Sequence, residues 1–123
     1  VGARILVVED DADIRRLVVV ALKRAGHTVL EAADGDAALA LIEGQPPDLA
    51  VLDIMLPGRS GLDIVRTLRA QPSTANLPFM IISARGQANE VAAGLADGAQ
   101  DYLVKPFAPA DLVRRVAKVL SSN

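Results

Sequence analysis

The sequence predicts a doubly wound α/β domain: five parallel strands in the order 2-1-3-4-5, with five helices covering the two faces of the sheet. Three observations carry this. Four short runs, residues 5–8, 49–52, 79–82 and 103–104, are apolar without polar alternation, the pattern of strands buried on both faces. Between them, apolar residues recur at helical spacing. Strand and helix patterns alternate along the whole chain, which requires right-handed crossovers and a parallel sheet.

Taken in order, the first strand is Ile5-Leu6-Val7-Val8, and it stops at Glu9-Asp10-Asp11. Ile14, Leu17, Val18, Ala21, Leu22 and Ala25 then mark a helix that Gly26 closes. Residues 28–32 form a second strand, and Glu31 suits an edge position. A small-residue helix over 37–42 ends near Gly44, and Pro46-Pro47 bars any continuation. The third strand, Leu49-Ala50-Val51-Leu52, stops at Asp53; Leu62, Val65 and Leu68 mark the helix after it. The polar stretch from Gln71 to Pro78 is expected to be a surface loop. Phe79-Met80-Ile81-Ile82 ends at Ser83-Ala84, and Val91 and Leu95 mark a fourth helix, weakened by Gly94 and closed by Gly98. Leu103-Val104 ends at Lys105-Pro106. A last helix carries Leu112, Val116, Val119 and Leu120, with Pro109 in its first turn and Ala108 where a Ser cap is usual.

Composition narrows the function classes. The 123 residues fit one domain, 1–123, and no linker or repeat divides them. Hydrophobic residues make up 51%, yet no apolar run approaches the length that spans a bilayer. No signal segment opens the sequence, so a soluble cytoplasmic protein is expected. There is no cysteine, which removes disulfides and thiolate metal sites. Thirteen basic against fifteen acidic residues, with one Tyr, two Phe and no Trp, give neither the charge nor the stacking surface of a nucleic-acid binder. The single histidine, His27, lies far along the chain from every candidate site residue and reads as a helix-end histidine.

The strand ends hold the chemistry. In an open α/β sheet ligands bind beyond the carboxyl ends of the strands, where the winding reverses between the first and third strands. That point gathers Asp10, Asp11 and Asp53. Three carboxylates together repel one another and favour a bound cation; hard oxygen donors without His or Cys favour Mg2+. Asp11 is also placed to cap the following helix, which accounts for one acid but not three. Asp53 ends an apolar strand, where a charge is costly without a partner or a task. An aspartate there can attack a phosphoryl group and form an acyl phosphate. Lys105 would neutralise the incoming charge and Ser83 would donate to its oxygens.

In these positions the chain resembles the receiver domain of two-component response regulators, the CheY-like proteins with a flavodoxin-like sheet, over essentially its whole length. The resemblance rests on Asp10, Asp11, Asp53, Ser83 and Lys105-Pro106, and on the flanking Asp53-Ile54-Met55-Leu56-Pro57-Gly58, Gly61 and Phe107. It implies a signalling switch rather than an enzyme: Asp53 takes phosphate from a histidine on a sensor kinase or phosphotransfer protein in a Mg2+-dependent reaction, and later loses it. It implies Mg2+ ligation by Asp11, Asp53 and the Met55 carbonyl, with Asp10 acting through water, and a cis Lys105-Pro106 bond. Ser83 and Tyr102 would form the switch, altering the face of the fourth helix, fifth strand and fifth helix to control an output domain or partner. DNA-binding relatives dimerise there; Asp97, Asp101, Asp111 and Arg115 could serve, although Val91 stands where those relatives carry a basic residue. Neither Met55 nor Arg85, which flank the site, can position an attacking water, so a phosphorylated lifetime longer than seconds is expected.

Three rival readings fit less well. A haloacid-dehalogenase-like enzyme carries its nucleophile after the first strand with a second acid two residues on, whereas Asp10 and Asp11 are adjacent. A flavin-binding module needs a glycine-rich phosphate loop where this chain has three acids. A receiver-like domain used only for docking would not need the full set of site residues.

Overall fold

The structure, a computed structural model, describes residues 2–84 and 87–122. Strands β1 (Arg4–Val8), β2 (Thr28–Ala32), β3 (Leu49–Asp53), β4 (Phe79–Ser83) and β5 (Asp101–Val104) alternate with helices α1 (Ala12–Arg24), α2 (Gly35–Gly44), α3 (Gly61–Arg69), α4 (Ala88–Ala96) and α5 (Pro109–Ser121). All strand pairs are parallel and the order is β2-β1-β3-β4-β5, as predicted. β1, β3 and β4 are buried on both faces, which explains their unbroken apolar runs.

Side-chain alternation along these strands divides the core in two. Leu6, Val8, Ala50, Leu52, Phe79 and Ile81 pack with Ala38, Ile42, Ile64, Val65 and Leu68 of α2 and α3. Ile5, Val7, Leu49, Val51, Met80 and Ile82 pack with Val18, Val19 and Leu22 of α1 and with Leu112, Val116 and Val119 of α5. α4 lies on the first face at very short range: a Cβ on Gly94 would stand 2.1 Å from Ile81 Cδ1. Gly94 is therefore more than a weak helix former. It is the residue that lets α4 approach β4.

Several local details differ from the sequence reading. α2 begins at Gly35 rather than Ala37, because the Asp34 side chain accepts from the Ala37 N–H and caps the earlier turn. β5 starts at Asp101, two residues before its apolar pair. The segment from Gln71 to Pro78 is no plain surface loop. Thr74 is buried and donates to the Leu68 carbonyl at 2.6 Å, Leu77 is buried, and Arg69 donates to the Leu77 carbonyl while lying over the Phe79 ring. Gly26 and Gly98 take φ of 96° and 102° and end their helices as expected. His27 accepts the Ala3 N–H at Nδ1 and takes no part in the strand-end site. No helix among the described residues is long and apolar enough to cross a membrane.

Candidate functional site

The register of the sheet builds the site. Val8 pairs with Leu52, Asp53 with Ile82, and Ser83 with Val104. Glu9 and Asp53 thus emerge side by side from β1 and β3, with Ser83 and Lys105 beyond them on β4 and after β5. The Lys105 ammonium sits between two carboxylates, 2.8 Å from Asp53 Oδ2 and 2.6 Å from Glu9 Oε1. Asp53 Oδ1 accepts the Met55 N–H at 3.0 Å, which folds the chain after β3 back over the carboxylate. Gly61 allows that fold: its N–H donates to the Ile54 carbonyl, and a Cβ there would lie 2.4 Å from the Asp53 carbonyl oxygen. The peptide bond between Lys105 and Pro106 is cis.

Glu9, Asp10 and Asp53 each offer an oxygen within 4.8 Å of the others. Asp11, expected among the metal ligands, is outside this group. Its Oδ1 accepts from the Asp13 and Ile14 N–H groups at 2.9 and 3.1 Å, so its carboxylate is committed to capping α1. Glu9, fully buried, belongs to the group instead and is the acid that the sequence reading left out of the candidate site. The signal was available: Val8 is the last strand residue, so the first acid of the three leaves from the sheet edge. Three carboxylates against one ammonium leave the pocket net negative, and hard oxygen donors at this spacing fit a divalent cation.

Burial pushes the Glu9 carboxyl up to about 7, and the neighbouring Asp53 carboxylate adds to this while Lys105 opposes it. Burial pulls Lys105 down, but Asp53 and Glu9 outweigh it and its pKa is raised. Ser83 is 1% exposed, and its Oγ has no hydrogen-bond partner among the described residues. A buried hydroxyl left unpaired costs about 1–3 kcal/mol. Tyr102 lies outside, 40% exposed, on a groove of about 420 Å³ that it shares with Ser83, Gln87, Val91 and Leu95. Met55 is exposed beside the site, while Arg85 lies outside the described residues. The ionic side chains considered for dimerisation all pair within the chain: Asp97 with Arg66, Asp101 with Arg115, and Asp111 with Arg114 and Arg115.

The family model for the response regulator receiver domain matches residues 5–117. The chain belongs to this family. It is 43% identical over 120 residues to the phosphate regulon transcriptional regulatory protein PhoB of Pseudomonas aeruginosa, covering 98% of this chain and 52% of that protein. It is 40% identical over 120 residues to the DNA-binding response regulator MtrA of Mycobacterium leprae, with 98% and 52% covered. The receiver domain thus spans about half the length of these curated relatives. Among solved structures, a putative response regulator from Chloroflexus aurantiacus superposes with a TM-score of 0.92 at 36% identity, covering 98% of this chain and 99% of that one. NtrX from Brucella abortus in complex with ADP gives a TM-score of 0.92 at 35% identity, covering 99% of this chain and 28% of that one. A receiver domain is a signalling module of two-component systems, and its five-stranded parallel sheet with five helices is the fold seen here.

Proposed function

We propose that residues 1–123 act in the cytoplasm as one phosphorylation-operated receiver domain. Asp53 is the acceptor, and the phosphoryl donor is a histidine on a sensor kinase or phosphotransfer protein. In this reading an Asp53 carboxylate oxygen attacks phosphorus, the P–N bond to the imidazole breaks as the P–O bond forms, and the imidazole nitrogen leaves to take up a proton. Lys105 already touches Asp53, and its ammonium is placed to balance the charge that arrives with the phosphoryl oxygens. Glu9, Asp10, Asp53 and the Met55 carbonyl would hold Mg2+, with Asp11 remaining on the helix cap. Bound there, the ion supplies positive charge that lets an anionic phosphoryl group enter an acidic pocket.

Ser83 supports the switching half of the proposal, because a buried hydroxyl with no partner among the described residues is ready to donate to a phosphoryl oxygen. Its movement toward Asp53 would open the groove to Tyr102, and the altered face of α4, β5 and α5 would act on an output domain, a downstream protein or a second copy. The observation that carries the reading is the buried Asp53 carboxylate held between an ammonium and two further acids. Incubation with acetyl phosphate and Mg2+ tests it by intact mass. The wild type should gain one phosphoryl group and Asp53→Asn none; a wild type that gains nothing, or an Asn variant that gains equally, would overturn it.

A further inference from the structure

Glu9 and Asp10 sit where β1 leaves the sheet, and something must fix that turn. The Glu9 N–H is satisfied by the Ala32 carbonyl of β2 at 3.1 Å. Its carbonyl has passed the last rung of the ladder to β3, which ends at Val8 opposite Leu52. The donor it receives comes from a side chain: Arg15 Nη1 lies 2.8 Å from the Glu9 oxygen. The same guanidinium reaches Glu31 on the outer strand, with Nε 3.5 Å from Oε1. Arg15 is itself held in α1 through its N–H to the Asp11 carbonyl at 2.9 Å. One planar group thus spans the end of β1, the start of α1 and the edge strand β2, and Asp10 and Asp11 lie inside the loop it closes.

We infer that Arg15 is a positioning residue for the cation site: it fixes the backbone from which Glu9 and Asp10 project. The inference rests on the reading of Glu9, Asp10 and Asp53 as a Mg2+ site. A partly exposed arginine bonded to a main-chain oxygen touches no carboxylate of the cluster, and it acts through geometry rather than charge. The sign of the effect separates the two. Removing a positive charge near a cation site tightens cation binding through space, whereas releasing the turn weakens it. Partners that orient metal ligands typically change affinity by about 10–100-fold.

Calorimetric titration of Mg2+ into the metal-free protein provides the test, with the wild type, Arg15→Met, Arg15→Lys and Glu31→Gln compared well below their melting temperatures. Arg15→Met keeps the aliphatic stem and helix propensity but loses the donor, and its Mg2+ dissociation constant should rise about tenfold. Arg15→Lys, which retains one donor for the Glu9 carbonyl, should stay within about threefold of wild type, and Glu31→Gln should be unchanged. The melting-temperature gain on adding Mg2+ should shrink in Arg15→Met, an outcome that a purely structural loss, equal with and without the ion, would not give. Equal or tighter binding by Arg15→Met overturns the inference while leaving the site intact. A wild type that takes up no Mg2+ overturns both, and Asp53→Asn tells whether measured binding is at this site.

Discussion

A methyl group added at Gly94 pits helix propensity against packing, and the structure says which wins. In an exposed helix, glycine to alanine gains about 1 kcal/mol. At Gly94 the new Cβ would lie 2.1 Å from Ile81 Cδ1 and 3.3 Å from Leu62 Cδ2. Ordinary carbon–carbon contact is about 3.5–4.0 Å, so Ile81, only 1% exposed, must twist off its rotamer or α4 must lift. Such overpacking costs about 1–3 kcal/mol, and Gly94→Ala should be destabilised by about 1 kcal/mol net. Ile81→Val deletes the offending carbon and alone costs about 0.5–1.5 kcal/mol. With Cδ1 gone, the nearest remaining contacts are Leu62 Cδ2 at 3.3 Å and Ile81 Cγ1 at 3.4 Å, which shifts of a few tenths of an ångström relieve. The double variant should therefore equal or exceed Ile81→Val in stability, a favourable coupling of about 1–3 kcal/mol. Urea unfolding of the four proteins measures it. Additive effects, or a Gly94→Ala protein more stable than wild type, would refute the claim that this glycine seats α4 on β4.

Three further outcomes are expected. Folding raises the Glu9 pKa from 4.5 to about 7, so its contribution is fully present below its unfolded value and is lost as pH climbs through about 7. Discounted for relaxation around the buried carboxylate, the metal-free wild type should lose about 1–2 kcal/mol relative to Glu9→Gln between pH about 5 and about 8; denaturant titrations in a chelator that gave parallel pH profiles would contradict this. Gly61→Ala would force a Cβ to 2.4 Å from the Asp53 carbonyl oxygen, a backbone atom that cannot rotate aside, so about 1–3 kcal/mol of stability should be lost and labelling by acetyl phosphate slowed, and a variant normal in both would count against the close approach. Ala108 occupies the N-cap of α5 in extended backbone with no side-chain hydrogen bond; Ala108→Ser should add about 0.5–2 kcal/mol, and an unchanged melting curve would argue against that helix start.

The fold was legible because a parallel sheet covered on both faces leaves apolar runs that nothing else in a short chain explains. That Asp53, Ser83 and Lys105 stand at neighbouring strand ends was legible for a related reason, since each is the polar residue that ends such a run. Glu9 was not, because three acids in a row allow the register to be read one residue late. Asp11 was expected as a ligand, and the structure shows its Oδ1 accepting from the first turn of α1. Thr74 and Arg69 were hidden because a polar sequence around buried loop backbone resembles solvent-facing loop. Gly94 was read from helix propensity, a local property, whereas its role depends on a strand thirteen residues earlier in the chain.

The lone hydroxyl of Ser83 has one more consequence. Among the described residues its Oγ has no hydrogen-bond partner; a buried hydroxyl left unpaired costs about 1–3 kcal/mol, and each 1.4 kcal/mol or so changes a population ratio about tenfold. On the reading of Asp53 as phosphoacceptor, an oxygen delivered there would give that hydroxyl its partner, and the arrangement that turns Ser83 toward Asp53 would gain by that amount.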